Sequence, residues 1–392
     1  MKINKKDLTI CFMTFAGTLF LLWLFLILSA SIPNAKIQDN MVKSALVYAQ
    51  EDAFSYCDGE NIGLYLAVSD EQTQPNTDYT RYWHGTAGCI RLLHLFTDVN
   101  GIKNFGLLFI LLLAVIILFL LLKEKNALLA VAFVISLCIV KVWNIRLSME
   151  YQPAFVICFL MCILYLLFEK KGDTTLLFLS VAGGVLIAFF DFLTTETMVI
   201  LLPLIFVITI RAKEKRKTPF VANMRFVISQ FVAWGLAYAA SYLIKWSAVS
   251  ILTEENKFAA ALQSVGERIG GPMSAGGEMN QFEQIFAAPA ANISVLMGAQ
   301  ERIDGILLMV GLFLIVSMIL IGMLLLPEKE DKNLTFTLLI LGSIVILRYL
   351  VLSNHSYMHA FFTYRGMISL IMALFSIWII HFNNKNLSNQ SM

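Results

Sequence analysis

The stretch 104-NFGLLFILLLAVIILFLLL-122 holds nineteen residues and no charge. It runs into Lys123-Glu124-Lys125-Asn126, and a second apolar block, 127–145, follows at once. About 20 apolar residues make a helix long enough to cross roughly 30 Å of hydrocarbon. Inside lipid every backbone amide must find its partner within the segment, so such blocks are helices. Two of them joined by a charged turn predict a pair of antiparallel spans. Working outward, further blocks lie near 8–32, 153–168, 174–190, 195–210, 226–250, 305–326, 334–352 and 363–381. The sequence therefore predicts an all-α membrane protein of about ten transmembrane helices, a single polytopic domain over 1–392. Composition agrees: 14% of the residues are charged, against about 25% in an ordinary soluble domain. The first block follows Lys2, Lys5 and Lys6 and ends in Leu28-Ser29-Ala30-Ser31, which resembles a signal-peptidase site. It is longer than the apolar region of about 7–15 residues in a signal peptide, so it is read as a retained first span.

Lysine and arginine placement predicts orientation. With the N-terminus inside, the inner segments collect sixteen such residues: Lys2, Lys5, Lys6, Lys123, Lys125, Lys170, Lys171, Arg211, Lys213, Lys215, Arg216, Lys217, Arg225, Lys329, Lys332 and Lys385. The outer segments hold nine, mostly in two long loops: Lys36, Lys43, Arg81, Arg91, Lys103, Arg146, Lys257, Arg268 and Arg302. Both termini are thus expected in the cytoplasm of a multi-pass plasma-membrane protein. The run 211-RAKEKRK-217 is read as a cytoplasmic anchor, not as a nucleic-acid patch. No CxxC, HExxH, Walker loop or GxGxxG is present, so soluble nucleotide or zinc chemistry has no basis in the sequence. Four cysteines, Cys11, Cys138, Cys158 and Cys162, fall in apolar blocks and read as small apolar residues. Cys57 and Cys89 share the first outer loop, where a disulfide is left open.

The outer segments carry the unusual residues. The first outer loop spans 31–103. Within it, 36-KIQDNMVKSALVYAQEDA-53 has helical period, with Ile37, Met41, Ala45 and Tyr48 on one face and Asp39, Lys43 and Gln50 on the other. Such a helix lies in the headgroup plane. Next, 79-YTRYWHGTAGCIRLLHLF-96 brings Arg81, Tyr82, Trp83 and His84 together, a combination suited to stacking on a sugar ring and pairing with a phosphate. Three further groups sit at outer ends of spans: Lys141, Asn144, Arg146 and Glu150; Asp191 and Glu196 in 190-FDFLTTET-197; and Arg348, His355, His359, Tyr364 and Arg365 in 348–365. Ionisable residues at the hydrocarbon boundary tend to face a bundle interior or an aqueous cavity. The histidine pair at i, i+4 lacks a third ligand, so no metal site is expected. A second outer loop, 251–303, is rich in Gly, Ala, Gln and Glu, and its 266–284 stretch reads as flexible.

A short basic N-terminus, one span, a large outer loop whose first helix carries an acid, and then paired spans with short inner loops resemble the GT-C glycosyltransferase superfamily. The segments RYWHG at 81–85, DFLTTE at 191–196 and NHSYMHAFFTYR at 354–365 resemble bacterial membrane proteins of cell-surface polysaccharide loci associated with that superfamily. The architectural likeness covers nearly the whole chain. The family acid often occurs as a pair of acidic residues, whereas here it is the single Asp39. The resemblance implies transfer of a sugar from a polyprenyl-phosphate donor to a glycan or lipid acceptor at the outer face. Asp39 would then be the general base and Asp191 the second candidate. Arg348, Arg365, His355 and Arg146 would meet the lipid phosphate, Arg81, Trp83 and His84 would line the sugar site with Tyr82 and Tyr364 as further aromatic faces, and Glu196 and His359 would also bind substrate. No cofactor is implied, and a divalent cation is left open. A transporter or flippase for lipid-linked glycans is the alternative. It predicts repeated halves and midplane charges, whereas here the charges gather at the outer ends.

The charge bias makes a direct prediction. In a cysteine-free background, a cysteine replacing Glu214 should stay unlabelled by an impermeant maleimide applied to intact cells, and one replacing Ser274 should be labelled. Labelling at 214 would overturn the orientation.

Overall fold

A computed structural model of the chain describes residues 4–51, 80–213, 219–270, 279–300, 302–325 and 329–390. Among these residues there are helices and turns and no strand. The chain opens with α1 (Lys5–Ala30) and α2 (Asn34–Glu51). A short α3 (Gly85–Leu93) leads to the hairpin of α4 (Val99–Lys123) and α5 (Ala127–Ile139). Two 3-10 turns, Val142–Leu147 and Met149–Tyr151, precede α6 (Gln152–Phe168), α7 (Asp173–Phe190) and α8 (Met198–Lys213). The long α9 (Phe220–Thr253) is followed by α10 (Lys257–Gly270), α11 (Gln281–Met297), α12 (Gly305–Leu325) and α13 (Lys329–Val351). Two short helices, α14 (Ser353–Met358) and α15 (Ala360–Thr363), lead into α16 (Ile368–Gln390).

Local chemistry marks the helix ends. Asn4 and Asp7 form a capping box at α1, and Asn280 and Glu283 form one at α11. Asp98 caps α4 by accepting from the Gly101 amide. The α4–α5 reversal turns on Lys125, which adopts φ +57°, a left-handed conformation that ends a helix sharply.

Eight helices or continuous helical stretches are long and apolar enough to cross a bilayer, as expected of a multi-pass membrane protein. The sequence predicts about ten spans, and the difference lies in α5 and α8. The expected block 127–145 is helical only to Ile139, because the chain tightens into a 3-10 turn at Val142. The expected block 195–210 starts its helix at Met198, after the turn that carries Glu196. At 1.5 Å per residue these helices are about 20 and 24 Å long, short of roughly 30 Å.

Short as it is, α8 is the axis of the bundle. Every residue from Met198 to Ile210 is buried, the pattern of a helix packed on all sides. Helices α6, α7, α9, α13 and α16 surround it. The turns fall at two ends. At one, Arg211 bonds Glu169 and Asp173 at 2.8 Å each, and Lys213 donates to the Lys125 carbonyl and to Asn126. At the other, Gln152 donates to the Lys103 carbonyl at 3.1 Å, Tyr364 to that of Val140 at 3.3 Å and Arg348 to that of Leu193.

The amphipathic pattern at 36–53 falls on α2. Its Ile37 and Met41 are fully buried, Ser44 accepts from the Val99 amide at 2.9 Å, and Asp39 and Lys43 are exposed. The stretch 251–303 departs from a loop. It contains α10 and α11, and α11 packs into the bundle against α12, α13 and α14 with Ala288, Ala291 and Asn292 buried. Of the expected flexible run 266–284, residues 271–278 lie outside the described residues, as do Cys57 and 214–217 of the basic run.

Helices α7 and α9 approach closely at Gly184, where an added Cβ would lie 2.3 Å from the Trp234 carbonyl oxygen. That contact is with backbone, which has no rotamer to yield. Gly184→Ala should therefore destabilise by about 1–3 kcal/mol and lower the thermal midpoint of the purified protein in detergent. A midpoint unchanged from wild type would mean that the two helices can part at no cost.

Candidate functional site

Between α7 and α8 the chain makes one compact turn, Asp191–Thr197, at the end of the bundle that carries the longer connections. The Asp191 carboxylate folds it by accepting from the Thr194 amide at 2.9 Å and from the Thr194 hydroxyl, the geometry of an Asx turn. Leu193 sits at φ +65°, a costly conformation for a branched residue. The strain turns its carbonyl to two donors, Arg348 and His355 Nε2, the latter at 2.9 Å. A carbonyl can only accept, so His355 carries its proton on Nε2. Arg348, in the last turn of α13, grips Glu196 with both arms, Nε to Oε1 at 2.7 Å and Nη2 to Oε2 at 2.9 Å, and reaches Ser356 Oγ at 3.3 Å.

All of these groups are buried. Burial and the nearby Glu196 raise the Asp191 carboxyl to about 7, although the Thr194 bonds and Arg348 act the other way. Burial first, then the Arg348 charge, pushes His355 far below the usual imidazole value. His359 is lowered to about 4 by burial and by Arg268, Arg302 and Arg348. The two rings lie 4.7 Å apart, and His359 Nδ1 is buried without a hydrogen-bond partner. Among the described residues no group of three His, Cys, Asp or Glu is arranged to hold a metal ion.

Against this turn opens a cavity of about 440 Å³. Leu193 and Glu196 form part of its wall, with Tyr82 and Arg81 on one side and α10, through Ala261, Val265 and Arg268, on another. The α9 side is an aromatic ladder of Trp234, Tyr238, Tyr242 and Trp246, four apart and so on one helix face. Successive rings are 5.5, 5.1 and 6.0 Å from centroid to centroid. Arg81 and Arg268 place their guanidinium carbons 5.4 and 5.6 Å from the Tyr82 ring centre. Arg268 Nη2 donates to the Tyr82 hydroxyl at 2.6 Å.

The structure brings together many of the residues predicted from sequence and separates others. Asp191, Glu196, Arg348, His355 and His359 form one cluster, and Arg81, Tyr82 and Glu196 line the cavity. Trp83 does not: it stacks on Phe189 at 5.3 Å and donates to the Ser241 carbonyl at 3.1 Å, fixing α3 to α7 and α9. His84 sits at φ +57° beside Tyr82 and Phe192. Tyr364 is buried against Val140, and Arg365 is buried over the rings of Tyr151 and Tyr364 at 5.0 and 4.8 Å. Arg146 is exposed on its 3-10 turn, and Asp39 is exposed on α2. Arg348, expected to meet a phosphate, has its fork filled by Glu196. The sequence reading missed Arg268 and the α9 ladder, whose only signal was the four-residue aromatic spacing. No protein-family model, curated protein or solved structure matches the chain.

Asp191 sets a pH signature. An unfolded aspartate has a pKa of about 3.9, so below about pH 4 both states hold the proton and the shift has no effect. As pH rises toward about 7 the unfolded chain ionises first, and this carboxyl costs the fold an increasing amount that levels off above pH 7. Asp191→Asn, which has no such proton to lose, should gain stability relative to wild type between about pH 4 and 7. Thermal midpoints of both proteins across that range test it. A constant difference between them would mean that Asp191 is ionised like a surface carboxylate.

Proposed function

We propose that the protein is a membrane glycosyltransferase that moves a sugar from a polyprenyl-phosphate donor to a glycan or lipid acceptor, working at the cavity end of the bundle. The observation that carries the reading is the single turn Asp191–Thr197. It lines an aromatic-walled cavity with Leu193 and with Glu196, whose carboxylate is paired to Arg348, and holds the buried Asp191 carboxylate in the same turn. Loss of the acceptor hydroxyl's proton needs a base, and a pKa near the working pH combines ionised fraction with proton affinity. Asp191 meets that condition. Asp39, by contrast, is exposed on α2. The leaving group is already a phosphate, so it needs cations more than an acid, and Arg81 and Arg268 stand on the cavity wall. Tyr82 offers a flat face for a sugar ring.

In this reading the chain crosses the plasma membrane ten times, with α5 and α8 as short crossings, both termini in the cytoplasm and the cavity at the outer face. The lysines and arginines at the opposite end of the bundle favour that orientation. The GT-C resemblance supplies the donor class. Transport is the weaker reading. Beyond the turn the bundle axis is the fully buried α8, packed with Leu, Ile and Phe, and a passage would have to open through it.

The test is incubation of purified protein with a panel of polyprenyl-phosphate sugars and candidate acceptors, followed by loss of donor. Asp191→Asn should cut turnover by about 10²- to 10⁴-fold with donor binding nearly intact. Loss at Asp39→Asn with normal turnover at Asp191→Asn would move the base to α2. Normal turnover in both variants would sink the carboxylate mechanism.

A further inference from the structure

Within that reading, which this inference rests on, the cavity has more direction than a sugar pocket requires. From Trp234 to Trp246 the ladder climbs twelve residues of α9, about 18 Å at 1.5 Å per residue. Its upper end is tied to the Arg81 segment, since Trp246 donates to the Arg81 carbonyl at 3.0 Å and packs against Phe258 before α10 begins its second turn. Its lower end is Trp234, at the close crossing with α7. The wall between is mainly hydrocarbon and ring, its polar groups being the Tyr238 and Tyr242 hydroxyls, Ser264 and Glu196, whose charge is already matched by Arg348.

The cations at the upper end are placed differently. Arg268 meets no carboxylate among the described residues. It spends Nη1 on the Ser264 carbonyl at 2.9 Å and Nη2 on Tyr82, and its Nε is buried without a partner. It shares the Tyr82 ring with a second guanidinium, that of Arg81. The unpartnered Arg268 Nε is a buried donor that an anionic oxygen at the mouth would satisfy. A trough apolar along its length and cationic at its mouth is complementary to a long apolar chain with an anionic head.

We propose that this trough seats the polyprenyl phosphate itself, with the phosphate at Arg268 and Arg81 and the first isoprenoid units laid along Tyr242, Tyr238 and Trp234. The lipid phosphate then sits on α10, not at Arg348 or Arg365. Among the described residues, α10 is tied down by Ser353 Oγ to the Ile269 carbonyl at 2.6 Å, by Asn354 to that of Glu267 at 2.7 Å and by Arg268 to Tyr82.

The experiment is binding of undecaprenyl phosphate and of undecaprenol, measured by native mass spectrometry on the full-length protein. Arg268→Gln should weaken the phosphate by about tenfold or more, since charge-assisted bonds are worth about 1.5–3 kcal/mol, and leave the alcohol unchanged. Retained alcohol binding shows that this variant is folded. Tyr238→Ala should weaken both lipids. Phosphatidylglycerol, the other source of a lipid phosphate, should compete poorly, because two acyl chains do not fit one ladder. Equal competition would make the site a general anionic-lipid site and overturn the proposal. If wild type turns over a polyprenyl-phosphate sugar while both variants bind undecaprenyl phosphate as wild type does, the trough is not the seat and the transferase reading stands. If wild type binds no undecaprenyl phosphate, both fall.

Discussion

The structure hangs on the Glu196–Arg348 pair. Each charge alone would be costly at this depth, and the two helices that carry them reduce the cost. Glu196 stands just before α8, where the helix dipole favours a carboxylate, and Arg348 stands in the last turn of α13, where it favours a cation. The bidentate geometry uses the full fork of the guanidinium. The remaining donors go to Ser356 Oγ and to the Leu193 carbonyl, turned inward by its positive φ. One ion pair thereby fixes the register of α13 against α8, the shape of the turn, and the depth of the cavity wall.

Helix α8 is clamped again at its other end, where Arg211 holds Glu169 and Asp173 and lies over the Phe226 ring at 4.5 Å. Between the clamps the helix has no polar side chain apart from Thr209, whose hydroxyl returns to the Ile205 carbonyl at 2.7 Å. Such a rod is stiff and dry. Chemistry that needs water, a titrating group or an anion is therefore confined to the ends, and at the end formed by Asp191–Thr197 an aromatic-walled cavity opens against the turn that holds the buried Asp191 carboxyl.

The helical class was legible because lipid forces it: a charge-free run such as 104–122 has no other stable form. Span count was less legible, because α5 and α8 are bounded by turns whose signals, Lys141 and Leu193 at positive φ, are set by tertiary contacts and not by residue type. The cluster around 191–196 and 348–359 was visible as ionisable residues where none should stand unpaired, but not which of them pair. Arg348 and Arg365 look alike in sequence, and one is matched to Glu196 while the other rests on two tyrosine rings. The ladder of α9 was hidden for a simple reason. Aromatic residues in an apolar span read as lipid-facing, and only the fold of α10 across them, in a stretch whose glycines suggested a loop, turns that face into a wall.

Charge bookkeeping then separates the two halves of the site. At the turn the ions are matched, Glu196 with Arg348, and His355 and His359 are held neutral by burial and by the neighbouring arginines. Asp191 is left as the group there that can change charge near neutral pH. At the mouth Arg81 and Arg268 share one ring, and Arg268 meets no carboxylate among the described residues. Tyr82 bridges the halves: its hydroxyl accepts from Arg268, and its ring packs on Phe192 at 5.1 Å, the residue next to Asp191. Tyr82 is thus the contact between the two halves, touching Arg268 at the mouth and the residue beside the Asp191 carboxylate at the turn.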